Sequence, residues 1–136
     1  MQAPTRSGSR ESKFRLLYLG TDLELIAAVR QELTESDYRL VACSDRESAI
    51  LFLKSEIPYH LLLIDLDWRG REVLKFARLA NSLRHRKRMP VILVAASKLR
   101  SDLKSLVNKA GVKMFVTKTP DMGAVSETIR QMIEKN

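Results

Sequence analysis

Two ionisable residues lie at the carboxyl ends of predicted β-strands. Asp65 closes the apolar run of residues 61–64, and such a continuous run is typical of a strand buried on both faces of a parallel sheet. Lys118 closes a second strand-like run, residues 112–117. Because open α/β sheets bind their ligands at the carboxyl ends of the strands, we expect the carboxylate and the ammonium to share one crevice. An acid and a base in that position indicate a phosphate site or a site that responds to charge.

The composition indicates one soluble domain in a reducing compartment. The chain has 136 residues, of which 45% are hydrophobic and 29% charged, enough for one domain with its own core. Its single cysteine, Cys43, excludes an internal disulfide and is interpreted as a core residue. No apolar stretch approaches the ~20 residues that cross a bilayer, and no signal peptide is recognisable. We expect a cytoplasmic protein with a disordered lead-in over residues 1–13 and one domain over residues 14–136.

The formal net charge is +8. Much of the excess lies in a basic cluster before Pro90, interpreted as the solvated carboxyl end of a helix, where cations are favoured. Binding of DNA or RNA stays open as an alternative, although no aromatic residues are interleaved for base stacking. His60 and His85 have no spacing that predicts a metal site. The basic cluster consists of Arg84, Arg86, Lys87 and Arg88.

Strand-like and helix-like segments alternate along the sequence. Five strands that alternate with five helices predict an α/β fold, a single doubly wound five-stranded parallel sheet. The strands are predicted at residues 14–19, 38–42, 61–66, 91–95 and 112–117. Three helices are predicted to begin at Asp22, at Glu72 and at Ala124. The second helix is predicted to follow an N-cap at Ser44 or Asp45, and the fourth an N-cap at Ser97.

Three segments resemble the receiver domains of bacterial response regulators. Residues 58–66, PYHLLLIDL, resemble the third strand of these domains up to the phosphoacceptor aspartate. Residues 89–96, MPVILVAA, resemble the fourth strand, and residues 110–118, AGVKMFVTK, resemble the fifth, which ends in the lysine of the family. The resemblance extends over residues 14–132 and implies a flavodoxin-like receiver fold with Asp65 as phosphoacceptor and Lys118 beside it.

Receivers of this family take a phosphoryl group onto the aspartate from a histidine kinase or a phosphotransfer protein. An anionic carboxylate attacks an anionic phosphoryl group, so positive charge must be concentrated between them. The family therefore places two acidic residues after the first strand to hold Mg²⁺, which prefers oxygen ligands. It adds a main-chain carbonyl ligand after the phosphoacceptor, a hydroxyl residue at the end of the fourth strand and the lysine.

This sequence keeps part of that set. The acidic pair falls on Gly20 and Thr21, so the candidate metal ligands are Asp65 itself and, as a weak candidate one position after the pair, Asp22. The hydroxyl position falls on Ala95. Asp67 occupies the place of the carbonyl ligand, and its side chain is a candidate to replace a missing carboxylate in part. The resemblance thus implies Mg²⁺ as cofactor, whereas the departures predict weak binding or none.

Further residues correspond to the positions that move when receiver domains are activated, or are expected to contact partners. Phe115 matches the aromatic residue that turns inward on activation, and Ala95 is the second switch position; a strand aromatic by itself predicts a core residue. Thr119 separates Lys118 from Pro120, so we expect a trans peptide bond after the lysine. Trp68 is expected on an exposed loop, as a partner contact.

The sequence therefore predicts a non-enzymatic receiver-type module of a two-component phosphorelay, with weak or no Mg²⁺-dependent phosphorylation at Asp65, that acts through protein–protein interaction. A competent phosphoacceptor is the first alternative and a small nucleic-acid-binding domain the second. The expected partner is a histidine kinase, a phosphotransfer protein or an output domain. A homodimer would use the fourth helix, the fifth strand and the fifth helix. There, Lys98, Arg100, Lys104 and Lys109 would meet Asp121, Glu127 and Glu134.

Overall fold

The chain forms one parallel sheet covered by helices on both faces. The computed structural model describes residues 14–33 and 38–134, and the predicted lead-in over residues 1–13 lies outside them. The strands are β1 (Phe14–Leu19), β2 (Tyr38–Cys43), β3 (Leu61–Asp65), β4 (Val91–Ala95) and β5 (Met114–Thr117). The helices are α1 (Leu23–Leu33), α2 (Arg46–Lys54), α3 (Leu66–Arg69), α4 (Leu74–Ser82), α5 (Ser101–Lys109) and α6 (Gly123–Glu134).

All strand pairs are parallel, and the order across the sheet is β2-β1-β3-β4-β5. This confirms the predicted doubly wound α/β fold. The helical segment α3, the 3₁₀ turn Gly70–Val73 and α4 follow one another directly and together form the third of five helical segments. Among the described residues, no helix is both long enough and apolar enough to cross a membrane.

The central strands β3 and β4 are buried along their whole length. Alternate residues of β3 point to opposite faces of the sheet, so Leu61 and Leu63 pack with α1 and α6. Leu62 and Ile64 pack with α2, α4 and α5 on the other face. The hydrophobic packing on the two faces of the sheet therefore fixes the position of Asp65 at the carboxyl end of β3.

Several predicted element boundaries were wrong. β3 ends at Asp65 instead of residue 66, because its carboxylate accepts the N–H of Asp67 and caps α3. Ser97 caps no helix, since α5 begins only at Ser101, after Arg100 in the N-cap position. Trp68 does not lie on an exposed loop: it belongs to α3, is half-buried and packs on Phe76 with the ring centroids 5.7 Å apart.

Smaller shifts affect other elements; α1, for example, begins at Leu23, one residue after the predicted Asp22. β2 extends one residue beyond the prediction, to Cys43, whose side chain is buried as predicted. α6 begins one residue earlier, at Gly123. β5 begins at Met114, two residues later than predicted, because the chain first turns through Gly111 with a φ of 81°. Gly111 can adopt this left-handed conformation at little cost, and it ends the preceding helix.

Arg86 was wrongly assigned to a solvated helix end. Its side chain is buried, at 2% exposure, whereas Arg84, Lys87 and Arg88 are exposed. The guanidinium lies over the ring of Tyr59, 5.0 Å from the centroid. Five donors in a fixed planar group let one arginine satisfy several carbonyl groups at the end of a helix. At 2.7–3.0 Å, it donates to the carbonyl oxygens of Phe52, Leu53, Ser55 and Ile57.

Replacement of Arg86 is expected to destabilise the fold far more than replacement of its exposed neighbour. Arg86→Met removes the hydrogen bonds to four carbonyl groups, among them that of the buried Leu53, and we expect a loss of about 3 kcal/mol in the free energy of unfolding. The matched variant Arg84→Met should lie within about 0.5 kcal/mol of the parent protein. Urea unfolding followed by circular dichroism measures both values. Equal effects of the two variants would show that the buried guanidinium network contributes no particular stability.

Candidate functional site

Asp65 lies at the bottom of the site with both carboxylate oxygens engaged. Its side chain is 2% exposed. One oxygen, Oδ2, accepts hydrogen bonds from the Tyr18 hydroxyl at 2.6 Å and from the Lys118 ammonium at 2.8 Å. The other oxygen, Oδ1, accepts the main-chain N–H of Asp67 at 3.0 Å. The structure therefore brings Asp65 and Lys118 into one crevice and leaves neither oxygen without a protein donor.

Lys118 binds three carboxylates at once. Besides Asp65, its Nζ donates to Oδ2 of Asp22 at 2.8 Å and to Oδ2 of Asp67 at 3.2 Å. Burial alone would lower the pKa of Lys118, but its hydrogen bonds to Asp22 and Asp65 outweigh burial and raise the pKa above the usual value. The ammonium therefore remains charged throughout the physiological range.

Asp22 has a double role that its sequence position did not indicate. Through Oδ1 it caps α1, accepting the N–H groups of Glu24 and Leu25 at 3.1 Å each. Its other oxygen binds Lys118. Burial raises the pKa of Asp22, but the hydrogen bonds from Lys118 and Leu25 lower it more, so the carboxyl ionises below its usual range. The acid one position beyond the family pair thus contacts the lysine.

Tyr18 is a site residue that the sequence patterns did not predict. Its side chain is fully buried, and its hydroxyl donates to Asp65 and accepts the N–H of Asp22 at 3.2 Å. Burial and the hydrogen bond to Asp65 both raise the pKa of the hydroxyl, which therefore remains protonated. The sequence did contain an indication of this contact. Tyr18 lies two residues before Gly20, and side chains two residues apart in a strand lie on the same face of the sheet.

Gly20 is required where it stands because the Tyr18 ring crosses the space above it. A Cβ atom on Gly20 would lie 2.7 Å from Cζ of Tyr18 and 2.7 Å from Cβ of Asp65. Real side chains do not approach that closely. The ring of Tyr18 therefore fills the volume that a side chain at position 20 would need.

The remaining predicted residues lie around this centre. Ala95 is buried and brings no hydroxyl, but its carbonyl accepts the N–H of Lys118 at 2.8 Å. The carboxylate of Asp67 accepts the N–H of Ala96 at 2.9 Å. Phe115 is half-buried and packs against the core formed with α2, α4 and α5. The peptide bond after Lys118 is trans, as expected, and no cis bond occurs in residues 14–33 and 38–134.

The residues of the site do not fit a bound Mg²⁺ ion. Magnesium requires six oxygen ligands at 2.0–2.1 Å in near-octahedral geometry. Here the carboxylates of Asp22, Asp65 and Asp67 converge on the ammonium of Lys118, and positions 20 and 21 bring no carboxylate. Among the described residues, no group of three or more histidine, cysteine, aspartate or glutamate side chains could hold a metal ion.

Solved structures similar to this chain are response regulators. One from Thermotoga maritima is 19% identical with a TM-score of 0.73, and the match covers 89% of this chain and 98% of that one. A CheY-like receiver domain protein from Methanospirillum hungatei JF-1 is 18% identical with a TM-score of 0.74, covering 90% and 94%. The chain has the response-regulator receiver fold.

A further similar structure is the Mn²⁺-bound form of response regulator Rcp1. It is 20% identical with a TM-score of 0.68, and the match covers 88% of this chain and 91% of that one. No protein-family model and no curated protein sequence matches the chain. The receiver fold in this protein thus surrounds a site in which a lysine ammonium lies between three carboxylates.

The contact between Tyr18 and position 20 predicts a coupled pair. Gly20→Ala should lower the free energy of unfolding by about 1–3 kcal/mol, because the added methyl group overlaps the tyrosine ring. In a Tyr18→Leu background, the same Gly20→Ala change should cost less, since the shorter side chain removes the overlap with the ring and leaves only the close approach to Cβ of Asp65. Chemical denaturation of the four proteins gives the coupling energy. A coupling energy of zero would contradict the proposed overlap.

Removal of the Lys118 ammonium is expected to create a cation site. Lys118→Met leaves the buried Asp65 without its counter-charge, which should cost about 3–5 kcal/mol of stability. Mg²⁺ should then raise the melting temperature of the variant, because it binds the folded state and neutralises the carboxylates. The parent protein should show no such rise. A similar Mg²⁺ response in both proteins, measured by calorimetry, would contradict the view that the ammonium replaces the metal.

Proposed function

We propose that the protein is a receiver-type module of two-component signal transduction that acts through protein–protein contacts and not through Mg²⁺-dependent phosphorylation of Asp65. The observation that carries the proposal is the arrangement around Lys118. Its ammonium binds Asp22, Asp65 and Asp67 together. Tyr18 closes the same space from the β1 side.

The chemistry of phosphoryl transfer supports this proposal. A carboxylate that attacks phosphorus needs a free oxygen lone pair and a cation that screens the approaching anion. Oδ2 of Asp65 already accepts two hydrogen bonds, at 2.6 and 2.8 Å. Lys118 supplies a single positive charge, which three carboxylates share. The site therefore has little positive charge left for an incoming phosphoryl donor.

A phosphoacceptor receiver is the second candidate, and one observation favours it. Asp65 terminates β3 and lies 2.8 Å from the lysine of β5, the pair that the resemblance assigns to phosphorylation. In this alternative, a histidine kinase would supply the phosphoryl group and a cation would displace the ammonium from Asp22 and Asp67. The protein would then act as a switch instead of a fixed binding module.

We propose the surface formed by α5, β5 and α6 as the contact for a kinase, a phosphotransfer protein, an output domain or a second copy. β5 lies at the edge of the sheet, and its Met114 is 40% exposed. On α5, Lys104 and Lys109 are exposed, whereas Glu127 on α6 already pairs with Arg130 at 3.3 Å. The two lysines therefore favour an acidic partner surface more than pairing with the α6 of a second copy.

Incubation with acetyl phosphate and Mg²⁺ tests the proposed function. We expect the intact mass of the parent protein to remain unchanged, like that of the control variant Asp65→Asn. Beryllofluoride with Mg²⁺ should likewise leave the amide resonances of Asp65 and Phe115 in place. Stoichiometric addition of one phosphoryl group to the parent protein, absent in Asp65→Asn, would overturn the proposal in favour of the phosphoacceptor receiver.

A further inference from the structure

The side chain of Asp67 joins two parts of the site that are distant in the sequence. Its Oδ2 accepts the main-chain N–H of Ala96 at 2.9 Å and the ammonium of Lys118 at 3.2 Å. Ala96 follows β4 directly and opens the β4–α5 connection, residues 96–100. A single carboxylate oxygen from the start of α3 therefore contacts both the β4–α5 connection and the lysine that follows β5.

These two donors are of the kind that a phosphoryl group on Asp65 would need. Anionic oxygens bind most strongly to ammonium groups and to main-chain N–H groups. The Lys118 ammonium already contacts Asp65, and Ala95 offers no hydroxyl, so the next donor at the end of β4 is the N–H of Ala96. In this chain both donors already bind an anion, the carboxylate of Asp67.

We propose that the Asp67 carboxylate is an internal anion that holds the β4–α5 connection against the site without phosphorylation. The inference rests on the proposed function and specifies its regulation: the connection stays in one arrangement because its anion is part of the chain. A side chain two residues after Asp65 would thus do permanently what a transferred group would do reversibly.

The local structure of the connection explains why this contact matters. No side chain caps α5, because its N-cap residue is Arg100 and makes no capping hydrogen bond. Leu99 packs against the core, but Ala96 is exposed, and its N–H donates to Asp67. The carboxylate therefore fixes the start of the connection, and through it the approach to α5 on the proposed partner surface.

Nuclear magnetic resonance of the full chain, without Mg²⁺ or phosphoryl donors, tests the inference. In Asp67→Ala, we expect exchange of the Ala96 amide proton with solvent to accelerate by about tenfold, the effect of losing one charge-assisted hydrogen bond. The order parameters of residues 97–100 should fall below about 0.6, the value typical of flexible backbone. Asp67→Asn, which keeps an acceptor oxygen, should fall between Asp67→Ala and the parent protein.

Asp102→Ala is the matched control, since it removes an exposed carboxylate from the first turn of α5, where it pairs with Arg100 at 3.1 Å. It should leave the Ala96 amide unchanged. Unchanged exchange at Ala96 in Asp67→Ala, or parent-like order parameters over residues 97–100, would overturn the inference. Both readouts concern the unphosphorylated protein, so phosphorylation of Asp65 in the acetyl phosphate experiment would overturn the proposed function alone.

Discussion

The ammonium of Lys118 is the charge on which the candidate site depends. The parallel sheet brings the carboxyl ends of β1, β3 and β5 to one edge, so Asp22, Asp65 and Asp67 would repel one another without a cation between them. The ammonium belongs to the chain, so it is placed between the carboxylates by folding and cannot dissociate as a bound cation would. Its position at 2.8 Å from two carboxylates therefore makes the charge balance of the site a property of the fold.

A second constraint is steric and accounts for the residue at position 20. The Tyr18 ring and a side chain on residue 20 would occupy the same volume, so the strand can carry one of them but not both. An acid at position 20 would add negative charge near Asp65 and favour a divalent cation. The tyrosine instead adds a neutral donor, held 2.6 Å from the same carboxylate. Gly20 therefore leaves room for the tyrosine ring and for its hydrogen bond to Asp65.

The parts of the structure that follow from local pattern were predictable from the sequence. The apolar runs before Asp65 and Lys118 predicted two strands whose ends meet, because parallel strands share one carboxyl edge. The contacts of Tyr18, Asp22 and Arg86 were not predictable in this way. Each depends on groups brought close only by folding, as when Arg86 reaches the carbonyl groups at the end of α2, about thirty residues earlier in the chain. A charged residue within a basic run gives no sequence signal that it is buried.

The charge of the site also limits what the fold can do as a switch. Three carboxylates and one ammonium give the site a formal charge of −2. A phosphoryl group on Asp65 would add further negative charge. The neighbouring carboxylates would repel that charge, and the repulsion is strongest where solvent screens it least. A receiver that uses this reaction must bring in a cation to offset that charge. Here Lys118 fills the place between the carboxylates, and Asp67 already binds the N–H at the start of the β4–α5 connection. The same contacts that stabilise the crevice therefore oppose a large change in its charge.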